Sequence, residues 1–104
     1  MSVQHMNAAQ FKQAVAEGRA MLLDFYADWC GPCKMLAPVI HELETEYTDV
    51  KFCKVNVDEE GELADAFKVT SIPMVAFVKD NTFVDVSVGY VPKEKLAKLI
   101  EEHK

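Results

Sequence analysis

Trp29-Cys30-Gly31-Pro32-Cys33-Lys34 stands between an apolar run, residues 20–27 (AMLLDFYA), and a helical pattern that extends from Lys34 to Tyr47. Two cysteines separated by two residues can close a small disulfide with each other and reopen it. The pair thereby takes up or releases two electrons without a rearrangement of the fold. At a strand-to-helix junction such a spacing reads as a redox motif. The competing reading of C-x-x-C is half of a zinc site. Structural zinc takes four ligands, and Cys53, His5, His41 and His103 offer no second pair at a fitting spacing.

Working outward from the motif, residues 20–27 are apolar on both alternating faces except at Asp24, which predicts a central strand covered on both sides. Residues 33–48 place Leu36, Val39, Ile40, Leu43 and Tyr47 on one face, an amphipathic helix with Pro38 inside it. Upstream, Asn7 is an N-cap for a helix carrying Phe11, Ala14 and Val15, which ends at Gly18. Downstream, residues 51–57 alternate as a strand, with Cys53, Val55 and Val57 on one face and Phe52, Lys54 and Asn56 on the other. Asp58 to Lys68 reads as a short helix, its acidic start favoured by the helix dipole.

Met74–Lys79 and Thr82–Val88 form a hairpin through Asp80-Asn81, both tolerant of positive φ. Pro92 opens a last helix striped by Leu96, Leu99 and Ile100. Parallel βα elements followed by a hairpin and a closing helix give an α/β fold, a mixed sheet between two helical layers.

The 104 residues are enough for a single domain, 1–104, with one core and no disulfide staples. A formal charge of −6 works against phosphate backbones and anionic membranes, so neither nucleic acid nor membrane is an expected partner. No leader pattern and no apolar stretch of membrane-spanning length occur, and the three cysteines are an odd set. A cytoplasmic location is expected. The histidines show no ligand pattern and are expected on the solvated surface, Cys53 is expected as a small core hydrophobe, and a monomer without a sticky edge is expected.

Asp24-Phe25, Trp29 to Lys34, Pro38, Asn56-Val57-Asp58, Ile72-Pro73 and Gly89 together resemble the thioredoxin family over essentially the whole chain. The resemblance implies the thioredoxin fold, a central mixed sheet of four or five strands flanked by four helices. It implies a cis bond before Pro73, facing the cysteines, with Ile72 presenting backbone groups to an extended target segment. It also implies a protein-disulfide reductase recharged by an NADPH-dependent thioredoxin reductase. The chain itself carries no dinucleotide fingerprint, so no cofactor is assigned to it. Three positions depart from the family pattern: Met74 where threonine is usual, Tyr26 where many bacterial members have tryptophan, and Asn81 where glycine is common.

The chemistry follows from residue types. A thiolate is the nucleophile of disulfide exchange, and Cys30 at a helix N-terminus has the dipole and free N–H groups that favour negative charge. Cys30, the more exposed sulfur by its place beyond Trp29, attacks a target disulfide; Cys33 resolves the mixed disulfide. Gly31 and Pro32 add no positive charge and so favour a reductant over an oxidase or isomerase. Asp24 in an apolar strand has a raised pKa and can take the proton of Cys33. The resemblance places Lys54 near it as charge partner, with Tyr26 and Lys34 supporting. The resemblance further implies that Trp29, Gly31, Pro32, Ile72, Pro73 and Gly89, with Tyr90 beside them, form the groove for disulfide-containing targets. A module that binds through this groove without turnover is the rival from another class.

Overall fold

The computed structural model describes residues 3–104; Met1 and Ser2, the start of the stretch read as lacking a leader, lie outside them. Five strands form one sheet in the order β1-β3-β2-β4-β5. They are β1 (Gln4–His5), β2 (Met21–Tyr26), β3 (Lys51–Asn56), β4 (Met74–Lys79) and β5 (Thr82–Val88). β3 pairs parallel with β1 and β2, and β4 pairs antiparallel with β2 and β5. Four helices flank the sheet: α1 (Ala8–Glu17), α2 (Gly31–Glu46), α3 (Gly61–Ala66) and α4 (Lys93–His103).

Alternation along β2 explains the layering. Met21, Leu23 and Phe25 enter a core shared with Ala14 of α1 and Leu63 of α3. Leu22 enters a second core, made with Leu36, Ile40 and Leu43 of α2 and Leu96 and Ile100 of α4. A strand covered on both faces carries apolar residues in unbroken series. Asp24 interrupts that series on the α2 face, near the carboxyl end of the strand, where the chain leads into the loop before the cysteine pair.

Local signals set the ends. The Asn7 side chain accepts from Gln10 N at 2.8 Å while the Gln10 side chain accepts from Asn7 N at 2.9 Å, a reciprocal cap. Gly18 closes α1 at φ +76°. Asp80 and Asn81 take φ of 53° and 61°, the left-handed pair that a two-residue hairpin requires.

β1 was not anticipated, since two residues are too few to show alternation. Three expectations are corrected. α3 starts at Gly61 and not Asp58, because the Asn56 side chain accepts from Asp58 N at 2.9 Å and its carbonyl from Glu59 N and Glu60 N, folding those residues into a turn. Pro92 caps α4 in extended conformation one residue before the first turn, as its fixed φ of −66° allows. The outer strand β5 exposes Phe83, Val84, Val86 and Val88, so an apolar edge is present after all; its inward neighbours on β4 already fill both cores.

Candidate functional site

Cys30 is the N-cap residue of α2, extended at φ −91° and ψ 110°, with Pro32 in the first turn. Its Sγ accepts a hydrogen bond from Cys33 N at 3.2 Å. Cys30 and Cys33 are joined as a disulfide across a Cα–Cα distance of 5.3 Å, inside the usual range for the bond. The Cys33 N–H group and the dipole of α2 both favour negative charge on Cys30 Sγ. The expected difference in exposure is not found. Cys30 is 5% and Cys33 4% exposed, because the capping geometry turns Cys30 Sγ back onto the helix. The exposed side chain here is Trp29, at 70%.

Behind the disulfide, a cavity of about 160 Å³ is lined by Asp24, Tyr26, Ala27, Asp28, Cys33, Lys34, Ala37 and Lys54. β2 supplies Asp24, β3 supplies Lys54 as its register partner, and α2 supplies Cys33. Asp24 is 5% exposed, and its Oδ1 has no hydrogen-bond partner. Burial lifts its pKa to about 7 against the pull of Lys54. Backbone donors therefore do not satisfy this carboxyl, and it can exchange a proton near neutral pH.

Ile72 packs against the Ala27, Cys30 and Cys33 cluster, and the Ile72–Pro73 bond is cis. Gly89 N donates to Pro73 O at 2.7 Å, and Gly89 takes φ +87°, a conformation that a side chain disfavours. A Cβ at Gly89 or Gly31 would meet open space, so the surface around the sulfurs is uncluttered at both points. Tyr90 is exposed next to Gly89.

Two functional neighbours were missed by sequence reasoning. Asp58 Oδ2 accepts from Trp29 Nε1 at 2.8 Å, and the Asn56 side chain fixes the turn that presents Asp58. Their position as Asn56-Val57-Asp58 at a strand end was the available signal, but the acidic run was read as a helix start. His5 is exposed, as expected, with Nδ1 3.3 Å from the Tyr26 hydroxyl. His103 is half-buried, with Nε2 2.9 Å from Asp85 Oδ2. Cys53 is buried in the core shared with α1 and α3, and burial pushes its thiol up to about 11. Among the described residues, no three His, Cys, Asp or Glu side chains converge as a metal site, and no helix is long and apolar enough to cross a membrane.

The thioredoxin family profile matches residues 2–102. The thioredoxin of Bacillus subtilis is 43% identical over 104 residues, covering 99% of each chain. The solved structure of Fasciola hepatica thioredoxin superposes with a TM-score of 0.90 at 39% identity, covering 100% of each chain. A chain solved in work on the thiol resolving mechanism in yeast mitochondrial 1-Cys peroxiredoxin via glutathione/thioredoxin systems superposes at 0.89 and 32% identity, covering 97% of this chain and 95% of that one. Sequence match, mixed five-stranded sheet and capped dithiol agree: this chain belongs to the thioredoxin family and is a thiol–disulfide oxidoreductase, a protein-disulfide reductase with Cys30 and Cys33 as its redox pair.

Proposed function

We propose that Cys30 is the attacking thiolate, Cys33 the resolving thiol and Asp24 the proton acceptor of the second step. The Cys30 thiolate attacks one sulfur of a target disulfide, forming a Cys30–target disulfide and expelling the other target sulfur as a thiolate. Cys33 passes its proton to Asp24 and attacks Cys30 Sγ. The Cys30–Cys33 bond forms, the mixed disulfide breaks, and the target leaves with both sulfurs reduced. Two electrons move from the dithiol to the target. The observation that carries this reading is the shared cavity, in which an unpartnered, buried Asp24 lies with Cys33 behind a Cys30 sulfur that already accepts the Cys33 N–H.

Trp29, Gly31, Pro32, Ile72, Pro73 and Gly89 form the surface that receives the target, with Tyr26, Lys34 and Lys54 behind the sulfurs. Support comes from the exposure of Trp29, the open space at Gly31 and Gly89, and Ile72 packed on the cysteines. Targets are proteins with disulfides, in keeping with a structural neighbour solved in work on thiol resolution in a yeast mitochondrial 1-Cys peroxiredoxin. A cytoplasmic thioredoxin reductase returns the electrons, since the chain carries no dinucleotide fingerprint of its own.

The test is trapping. With a disulfide-containing test protein, Cys33→Ser accumulates a covalent adduct that dithiothreitol releases, and Cys30→Ser forms none. Adduct with Cys30→Ser alone would reverse the two roles. Asp24→Asn slows release of the reduced target at pH 7 by about 100-fold, at the low end of what a positioned base contributes. An unchanged release rate would remove Asp24 from the mechanism.

A further inference from the structure

His5, Lys54 and Asp24 form one row across three neighbouring strands. His5 and Lys54 are register partners between β1 and β3, as are Lys54 and Asp24 between β3 and β2. Register partners in a pleated sheet project to the same face, and Tyr26, two residues beyond Asp24, shares that face. Tyr26 lies diagonally over the row. Its ring centroid is 5.8 Å from Lys54 Nζ, and its hydroxyl is 3.3 Å from His5 Nδ1. Lys54 forms no ion pair with Asp24 among the described residues. An ammonium on a flexible stem is strongly hydrated and moves to water unless something holds it.

We propose that Tyr26 is a positioning residue whose ring holds the Lys54 ammonium at the cavity joining Asp24 to Cys33, and so sets the pH at which Asp24 accepts a proton. The inference rests on the proton-acceptor reading of Asp24. A cation within about 6 Å of an aromatic centroid is attracted to the ring face, and the 5.8 Å contact satisfies that. Lys54 is the cation that opposes the effect of burial on Asp24. Lys34 from α2 and Asp28 from the loop after β2 line the same cavity, and Asp28 and Glu59 face Tyr26. These charges stay constant when Tyr26 alone is changed.

Truncating Tyr26 has two effects of opposite sign. Releasing Lys54 moves the Asp24 titration to higher pH, whereas admitting water around the carboxyl moves it to lower pH. The direction of the shift therefore separates a residue that holds a charge from one that merely covers a carboxyl.

The experiment follows the Asp24 carboxyl ¹³C resonance against pH with the Cys30–Cys33 disulfide intact. Tyr26→Leu raises the midpoint by roughly one pH unit, at the low end of what a nearby opposite charge is worth. Tyr26→Thr, also lacking the ring, does the same, and Tyr26→Phe leaves the midpoint in place. Lys54→Met raises it at least as far, and Tyr26→Leu adds nothing in that background. A downward shift or none with Tyr26→Leu and Tyr26→Thr overturns the inference. So does a shift of equal size in the Lys54→Met background, or one with Tyr26→Phe equal to that of Tyr26→Leu. The readout involves no turnover, so it can fail while Asp24→Asn still slows target release, and the reverse holds too.

Discussion

Trp29 Nε1 donates to Asp58 Oδ2 at 2.8 Å, joining the loop after β2 to the turn after β3 at the carboxyl end of the sheet. Parallel pairing of β2 and β3 brings these turns together. The bond holds an indole that is 70% exposed beside the disulfide. An exposed aromatic held in one orientation loses less freedom on meeting a partner. Asp58→Ala frees the indole. A net hydrogen bond is worth about 1 kcal/mol, so kcat/KM toward a protein disulfide falls about fivefold, while the reduction potential stays in place. Time-resolved Trp29 fluorescence anisotropy shows faster local motion in the variant. Unchanged anisotropy would mean that packing alone fixes the indole.

Asp24 makes a stability prediction whose sign is unusual for a carboxylate. Its folded-state pKa, about 7, lies above its ordinary value of 3.8, so the native state binds more protons than the unfolded state between those limits. Stability from this group is complete below about pH 4 and is lost as pH rises to 7. At roughly 1.4 kcal/mol per pH unit the loss is on the order of 4 kcal/mol. Asp24→Asn removes the titration. Urea unfolding with the disulfide intact finds the variant and parent alike near pH 4, with the variant more stable above pH 7. Parallel curves across that range would refute the buried, unpaired carboxyl.

The parts of the fold and site legible in the sequence are those encoded locally. The cysteine pair is separated by three positions, and its capping role follows from a strand that ends just before a helix begins. Asp24 was legible as a charge in an apolar run, and the hairpin as two adjacent residues that tolerate left-handed φ. The Trp29–Asp58 bond spans 29 positions and exists only once two parallel strands are paired, so no local pattern announces it. The same holds for His5, which reaches Tyr26 from a two-residue strand. The start of α3 was misread because an acidic run suits both a helix N-terminus and an Asx turn, and the Asn56 side chain decides for the turn.

Pro32 stands in the first turn of α2, two residues after Cys30, and contributes no charge. Pro32→His would place an imidazole where its protonated form faces the Cys30 thiolate. A cation there stabilises the reduced state, and stabilising the reduced state makes a dithiol a stronger oxidant. The parent is expected near the reference value for thioredoxin, about −270 mV, which is a family value and not one derived from this geometry. The variant rises by about 30 mV, the equivalent of roughly 1.4 kcal/mol for two electrons. Equilibration against a dithiol buffer series, read by Trp29 fluorescence, measures both. A fall in potential would show that loop strain outweighs the added charge.

Cys53 makes the last prediction because it shares the chain with two reactive sulfurs and lacks what makes them reactive. It is buried in the core that α1 and α3 share with the sheet, and burial pushes its pKa from 9.0 to about 11. At pH 8 its thiolate population is lower by about 100-fold than that of the same thiol at the unshifted value, before any steric barrier to a reagent. In the protein with Cys30–Cys33 oxidised, a thiol reagent therefore detects almost nothing until denaturant is added, and then detects one thiol. Rapid labelling of the folded protein, with a rate rising through pH 8 to 9, would place Cys53 at the surface. Its slowness keeps exchange confined to Cys30 and Cys33, because a third ionised thiol in reach would divert mixed disulfides into a product that Cys33 cannot resolve.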